Sequence, residues 1–335
     1  MQISVVIPTV DRKTRLLLLL VSLDRSTYPI REVIIVDSGS DRLTADEYSM
    51  IKNFPIYCIP SERSVCVQRN TGIKLAKSEW IFLCDDDIEI PADYLQKLTT
   101  YINDHPDTGA ISGLWLQKDG NTWTASYPET SARQLLWKYI FRLSIWGPIK
   151  CSGNNFVIRK IKRYYQDKGN HITKAGWPVI TNLSGDPFFV PVYSLGGSLV
   201  KKEWLLNSPF DETLDRHGIG ENYGVIAGFP GMGIHVLNNT CVYHQQETTN
   251  RLMQPLQYYR RVLALDYFIQ TKSTLKNIKR SYLLWSLIGN MISFVFSTNK
   301  SMMRAAFKSA WDVLWNKNPY RKAARNNIKI IEPVL

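Results

Sequence analysis

Trp80-Ile81-Phe82-Leu83-Cys84-Asp85-Asp86-Asp87-Ile88-Glu89-Ile90-Pro91 is the stretch on which the fold of this chain turns. An apolar run of this length predicts a short buried strand, with the three carboxylates at its carboxyl end. Adjacent carboxylates repel one another and are costly to keep ionised away from water, so they call for a cation or strong hydrogen-bond donors. Mg²⁺ or Mn²⁺ suits such oxygens, and commonly takes only one or two protein carboxylates plus the phosphates of a substrate. The alternative is a solvated acidic turn, the ordinary fate of a short acidic run.

Working outward, Ile3-Ser4-Val5-Val6-Ile7-Pro8 is a continuous apolar run closed by proline, the pattern of a strand buried on both faces. Residues 12–26 read as a helix with Leu16 to Leu20 on its buried side, and residues 32–36 as a second buried strand ending in the turn Asp37-Ser38-Gly39-Ser40-Asp41. A helix over residues 44–53, a strand over 56–59 and a helix over 65–76 complete the series before Trp80. Strands alternating with helices through short connections predict a doubly wound α/β sheet. Ligands of such sheets bind outside the carboxyl ends of the strands, where Asp37 and Asp85 to Asp87 both fall.

Four segments in order within the first 91 residues, VVIPTVDR, IIVDSGSD, CVQRNTGI and IFLCDDDIEIP, resemble the nucleotide-sugar half of the family-2 glycosyltransferases. That resemblance implies a GT-A fold, a Rossmann-like, mostly parallel sheet with helices on both faces. It also implies a DxD-containing, inverting, metal-dependent transferase using Mn²⁺ or Mg²⁺. Under it, Asp37 matches the acceptor of a uracil imide N–H, although Ser38 stands where the family commonly has a second aspartate. Arg69 and Asn70 match the helix pair near the nucleotide, Asp85 the ribose contact and Asp87 the metal ligand. Pro8 and Asp86 belong to the same nucleotide-sugar set.

The resemblance returns at residues 194–203, at Pro209-Phe210-Asp211-Glu212 and at Gly218-Ile219-Gly220-Glu221-Asn222-Tyr223-Gly224. The last of these falls where the family has "GEDxDL", whose aspartate is usually the catalytic base; here the position is Asn222, which cannot accept a proton usefully. Glu221 is the expected base, Asp215 and Asp186 are alternatives, and an impaired chain is the remaining reading. Cys241-Val242-Tyr243-His244 matches the family's closing segment and puts His244 toward the metal or pyrophosphate. Between these blocks lies an aromatic-rich span with Trp115, Trp123, Tyr127, Trp137, Tyr139, Phe141, Trp146 and Trp177, suited to a glycan acceptor or to a core. Residues 159–163 add a basic cluster there, and Gly153-Asn154-Asn155 and Gly185-Asp186-Pro187 read as turns.

The net charge of +12 is confined to one end. Residues 1–250 hold 26 Lys/Arg against 26 Asp/Glu, and residues 251–335 hold 15 against 3. A balanced body with a basic tail argues against nucleic acid as partner and for an anionic surface meeting the tail. Residues 281–297 form an apolar run with Asn290 inside it, short for a membrane span and suited to lying at a headgroup layer, the alternatives being a soluble helix packed on the body or on a second subunit, or a true span. Residues 317–329 read as a flexible basic end. Cys58, Cys66, Cys84, Cys151 and Cys241 show no paired spacing, and the N-terminus begins with a strand rather than a leader.

These features divide the chain into a nucleotide-sugar half (1–115), an acceptor half (116–250) and a basic helical tail (251–335). The expected place is the cytoplasmic face of a membrane, peripheral or monotopic through residues 258–330, with oligomers allowed. The expected partners are a nucleotide-sugar donor, UDP favoured by Asp37, and a glycan or lipid-linked glycan acceptor in surface polysaccharide assembly. The competing reading is a catalytically impaired relative acting as a nucleotide-binding partner subunit. A nucleotidyltransferase would need a Gly-rich phosphate loop after the first strand, where this chain has IPTVDRKTR.

Overall fold

A computed structural model describes residues 1–125, 130–150, 155–245 and 252–335, with Asp119 known by its backbone alone. Tyr127, Cys151, Gly153 and Asn154 therefore lie outside the described residues. The first half follows the predicted series except for the helix expected over residues 44–53: β1 (Ile3–Thr9), α1 (Lys13–Asp24), β2 (Glu32–Asp37), β3 (Ile56–Pro60), α2 (Val65–Leu75) and β4 (Trp80–Cys84). β1 lies between β2 and β4, parallel to both, and β3 extends the parallel set beyond β2. Every residue of β1, β2 and β4 is buried, as continuous apolar strands covered on both faces must be.

Two local expectations need correction. In α1 the buried stripe is Leu16, Leu19, Leu20 and Leu23, the i, i+3, i+4, i+7 set of one helical face, so Leu18 points to solvent at 57% exposure. Residues 44–53 form turns rather than a helix. The Thr44 N–H and hydroxyl both donate to Glu47, the Ser49 hydroxyl donates to the Asp46 carbonyl, and Asp24 receives the N–H groups of Lys52 and Asn53. Side chains that bond nearby backbone in this way compete with helix formation.

After the acidic turn come β5 (Ile88–Glu89), α3 (Tyr94–Asp104), β6 (Ala110–Asp119), β7 (Thr122–Thr124), α4 (Ala132–Ile140), β8 (Ile145–Trp146), α5 (Phe156–Lys168), β9 (His171–Ile172), β10 (Pro178–Ile180) and β11 (Phe188–Val190). β12 (Gly197–Lys201), α6 (Lys202–Asn207), α7 (Glu221–Ile226) and β13 (Ile234–His244) follow, then α8 (Gln254–Thr271), α9 (Arg280–Phe296), α10 (Lys300–Leu314) and α11 (Pro319–Arg325). The main sheet has the order β11-β13-β6-β12-β4-β1-β2-β3. β12 inserts antiparallel to both β4 and β6, while β13 runs parallel to β6, so the sheet is mixed rather than purely doubly wound. β6 crosses residue 115, and one sheet therefore runs through both expected halves.

β8, β10 and β9 make a small second sheet. Ile145 and Val179 of this sheet form a separate core with Leu135 of α4 and Ile158, Ile161 and Tyr165 of α5. Several rings of the aromatic span are spent on packing: Trp137 lies tilted against Phe141 and donates to the Gly289 carbonyl, and buried Trp177 donates to the Ser286 hydroxyl.

The C-terminal quarter is part of the body. Tyr259, Leu263, Ala264, Phe268 and Tyr320 share one hydrophobic cluster with Val6 and Val36 of the sheet. Residues expected to form a flexible end instead fold into α11, after which the Ile330 and Ile331 N–H groups donate to the Glu212 and Thr213 carbonyls. Among the described residues no helix is long and apolar enough to cross a membrane.

Candidate functional site

Because β1 and β4 are parallel neighbours, their carboxyl ends deliver Pro8, Thr9 and Arg12 beside Asp85, Asp86 and Asp87. These residues line a cleft of about 260 Å³, closed by Gln68 and Arg69 of α2, Arg216 and His217 of the loop between α6 and α7, Glu221 and His244. Asp87 and Asp86 are almost fully buried, so their charge must be met inside the protein.

The three carboxylates are met differently. Asp85 pairs with Arg69 at 2.6 Å. Its carboxyl group fills the space over Gly196, where a Cβ would stand 2.0 Å from an Asp85 oxygen. Asp86 accepts from the Thr9 hydroxyl at 2.7 Å and from Arg12 at 2.8 Å. Burial nevertheless outweighs these bonds and pushes the Asp86 carboxyl up to about 6. Asp87 has Arg12 at 3.3 Å and His244 Nε2 at 3.4 Å. Its backbone carbonyl is held by the Gln245 N–H. His244 lies against the Trp115 ring, and its Nδ1 is buried without a hydrogen-bond partner.

Arg69 bridges the site. Its Nη2 meets Asp85 and its Nη1 meets Glu221 at 3.1 Å, with the guanidinium over the Phe210 ring. Burial opposes its charge, but Asp85 and Glu221 more than offset that, and its pKa lies above the ordinary arginine value. Burial raises the Glu221 carboxyl above the usual glutamate value, against the opposing pull of Arg69. Glu221 opens α7 because Gly220 precedes it at φ 97°, in the left-handed region, with Ala264 of α8 packed 3.0 Å from where a Cβ would be.

Asn70, expected at the nucleotide, is committed elsewhere. Its carboxamide donates to the Phe210 carbonyl and to Glu212 and accepts from the Phe210 N–H, tying α2 to the 210 loop. Asp37 sits at the adjacent strand end, buried, with one oxygen taken by the Gly39 N–H at 2.7 Å; burial raises its pKa. It is not among the residues that line the cleft.

The alternatives to Glu221 are engaged in structure. Asp215 is fully buried between Arg260 at 3.2 Å, the Tyr320 hydroxyl at 2.9 Å and the N–H groups of His217 and Ile219. Burial would raise its pKa, yet these partners hold it below the ordinary aspartate value. Asp186 receives the Asn238 N–H and is not among the residues lining the cleft. The Asn222 carboxamide oxygen is buried without a partner.

Sequence reasoning missed Arg12, Gln68, Arg216 and His217. Arg12 follows β1 in VVIPTVDR, at the same rim as the acidic turn, and that adjacency was the available signal. Gln68 is a polar residue on the buried face of α2; its amide donates to the Thr9 and Val36 carbonyls at 2.7 Å each and locks two strand ends. Arg216 depends on a residue remote in sequence: Glu332 accepts from its Nε at 2.8 Å and its N–H at 3.0 Å, while also pairing with Arg260 at 2.6 Å.

Asp87 and His244 converge as a carboxylate and an imidazole, a donor set that suits Mn²⁺ when substrate oxygens complete the shell. Among the described residues no group of three or more His, Cys, Asp or Glu is placed to hold a metal by itself. The residues present therefore fit a cation shared with a diphosphate.

Residues 4–165 match the sequence profile described as Glycosyl transferase family 2. An uncharacterized glycosyltransferase of Haemophilus influenzae is 31% identical over 111 residues, covering 32% of this chain and 37% of that protein, so the match spans well under half of the relative. Among solved structures, S. aureus TarS 1-349 in complex with UDP-GlcNAc has a TM-score of 0.51 at 13% identity, over 98% of this chain and 93% of that one. The mannosyltransferase PcManGT of Pyrobaculum calidifontis, in complex with GDP-Man and Mn²⁺, has 0.51 at 14%, over 94% and 87%. These likenesses carry the GT-A fold, and residues 4–165, just under half of the chain, belong by their profile to the family-2 glycosyltransferases.

Proposed function

We propose that the chain transfers a sugar from a nucleotide-diphosphate donor to an acceptor hydroxyl with inversion at the anomeric carbon. The observation that carries this reading is the single cleft in which Asp85, Asp86, Asp87 and His244 face Glu221 across Arg69. Arg12 and Arg69 place fixed positive charge where a diphosphate would gain negative charge as it leaves, a stabilisation that needs no reorganisation during reaction. Asp87 and His244 would hold Mn²⁺ or Mg²⁺, which supplies charge neutralisation for the departing diphosphate when bound. Glu221 takes the proton of the acceptor hydroxyl as that oxygen attacks from the face opposite the diphosphate. Its raised pKa makes it a stronger base than an exposed glutamate.

Support for a UDP donor comes from Asp37, a buried carboxylate acceptor at the rim of the same sheet. The TarS and PcManGT complexes hold UDP-GlcNAc and GDP-Man, so the GT-A frame accommodates either nucleoside. A glycan or lipid-linked glycan acceptor at the cytoplasmic side of a membrane, in surface polysaccharide assembly, is supported by the basic C-terminal quarter.

Asn222 at the family's base position favours a second reading, a nucleotide-binding partner subunit without turnover. Hydrolysis of nucleotide sugars by the purified chain with and without Mn²⁺ separates the two. Metal-stimulated turnover that vanishes in Glu221→Gln supports the enzyme, and nucleotide binding with no turnover supports the subunit.

A further inference from the structure

α10 carries two exposed stripes at helical spacing. Phe307, Trp311 and Trp315 follow one another at i, i+4 and i+8 as a ladder, with ring centroids 6.4 and 5.6 Å apart. All three are exposed, Phe307 at 60% and Trp315 at 57%. Beside them Lys300, Arg304 and Lys308 repeat at the same interval. Lys308 is paired with Asp312, whereas Lys300 and Arg304 make no ion pair among the described residues. The opposite side of the helix, Ala305, Ala306, Ser309, Asp312 and Val313, is buried against the body, so the exposed stripes are fixed in place.

Where α10 meets the end of α9, a groove of about 810 Å³ opens between Met291, Val295, Met303 and Phe307, rimmed by Lys300 and Arg304. Phe296, the last residue of α9, is 81% exposed. Residues 300–325 hold seven Lys or Arg against one acid, Asp312. An apolar trough under unneutralised cations matches an amphiphile with an acyl chain and an anionic head, and the aromatic ladder matches the interface between hydrocarbon and water. A polar protein partner would leave the trough unfilled, and zwitterionic lipid would leave the cations unmatched.

We propose that the α9–α10 hairpin is an anionic-phospholipid docking site, with the groove taking a lipid chain and Lys300 and Arg304 its headgroup phosphate. This deepens the membrane part of the reading above by naming the surface, its depth-setting residues and the lipid class, and it stands independently of the transfer chemistry.

The test is co-sedimentation of the full chain with vesicles of phosphatidylcholine alone and of phosphatidylcholine mixed with phosphatidylglycerol. Binding to the mixed vesicles only, weakened by salt, is expected. Lys300→Glu with Arg304→Glu should lower the partition coefficient by at least about 25-fold, the loss of two cations at roughly fivefold per unit charge, before repulsion of the two new carboxylates. Phe296→Ser with Phe307→Ser should weaken binding to the same vesicles at any salt concentration. All four positions are exposed, and nucleotide-sugar hydrolysis without vesicles should be unchanged in both variants, which keeps a failure here distinct from a failure of the enzymatic reading. The proposal is overturned if the wild-type chain ignores the mixed vesicles, if the variants bind them like wild type, or if the same substitutions instead dissociate a dimer of this chain.

Discussion

Asp86 should make the protein less stable at neutral pH than it would be with a neutral residue there. Its side chain is only 7% exposed, and burial lifts its carboxyl from the ordinary 3.8 to about 6 despite Arg12 and Thr9. In the unfolded chain it ionises near the ordinary value, so the folded state binds the proton more tightly. The stability that protonated Asp86 contributes is full below about pH 4 and is lost as pH rises through about 6. At about 1.4 kcal/mol per pH unit, the difference amounts to about 3 kcal/mol once the group is charged. Asp86→Asn keeps an acceptor oxygen for Thr9 or Arg12 and removes the titration. Urea denaturation of both proteins in EDTA, from about pH 4.5 to about pH 7.5, should therefore show the variant gaining on wild type by about 2 kcal/mol across that range, the remainder of the shift lying below about pH 4.5. Any fixed cost of the substitution cancels, because only the change with pH is read. Parallel stability curves would refute the reasoning, since Asp86 would then be held at no electrostatic cost. A gain in stability with loss of nucleotide affinity is the trade expected of charge packed for a ligand.

Glu221→Gln keeps an oxygen for Arg69 and should leave nucleotide affinity within a few fold while lowering kcat by about 10²- to 10⁴-fold. In the wild-type enzyme the acid limb of kcat against pH should lie above the ordinary glutamate value of 4.5 and be missing from the residual rate of the variant. Asn70→Ala strips the hydrogen bonds to Phe210 and Glu212 and should cost about 2–3 kcal/mol in a denaturation midpoint, with kcat of the folded fraction retained. Glu332→Ala leaves buried Arg260 to Asp215 alone and releases Arg216. Because the Glu332 side chain is 30% exposed, the stability loss should be about 1–3 kcal/mol rather than that of a fully buried pair, and KM for the nucleotide sugar should rise more than kcat falls.

What the sequence made legible was what depends on local pattern. The runs at Ile3, Glu32 and Trp80 have no polar alternation, and each became a strand buried along its whole length. Parallel pairing then put the ends of β1 and β4 side by side, so Arg12 after β1 meets Asp86 and Asp87 after β4. Contacts over long sequence separations were not legible. Asn70 answers to Phe210, 140 residues away, and Arg216 to Glu332, 116 away, and no local pattern encodes either partner. The turn at residues 44–53 misled for the opposite reason: the Glu47 and Ser49 side chains satisfy the Thr44 N–H and the Asp46 carbonyl locally, which composition alone reads as an ordinary helical surface. In the basic C-terminal quarter average charge hid the core positions, because Tyr259, Leu263, Phe268 and Tyr320 are set among the lysines and arginines.

That quarter joins the two ends of the proposed chemistry. α8 presents Arg260 to Asp215, in the loop that carries Arg216 and His217 into the cleft, and packs Ala264 against Gly220, immediately before Glu221. The same helix is covered by α10, whose Asp312 accepts from the Tyr259 hydroxyl at 2.7 Å, and Arg280 at the start of α9 pairs with Asp266 at 2.8 Å. Asp266 is fully buried and also receives Asn318, so these contacts belong to the interior and cannot slide without leaving a buried charge unpaired. The hairpin that would rest on lipid and the loop that holds the base are therefore fixed to one helix. Docking of the hairpin would set the height of Glu221 above the bilayer, and with it the reach of any acceptor anchored there.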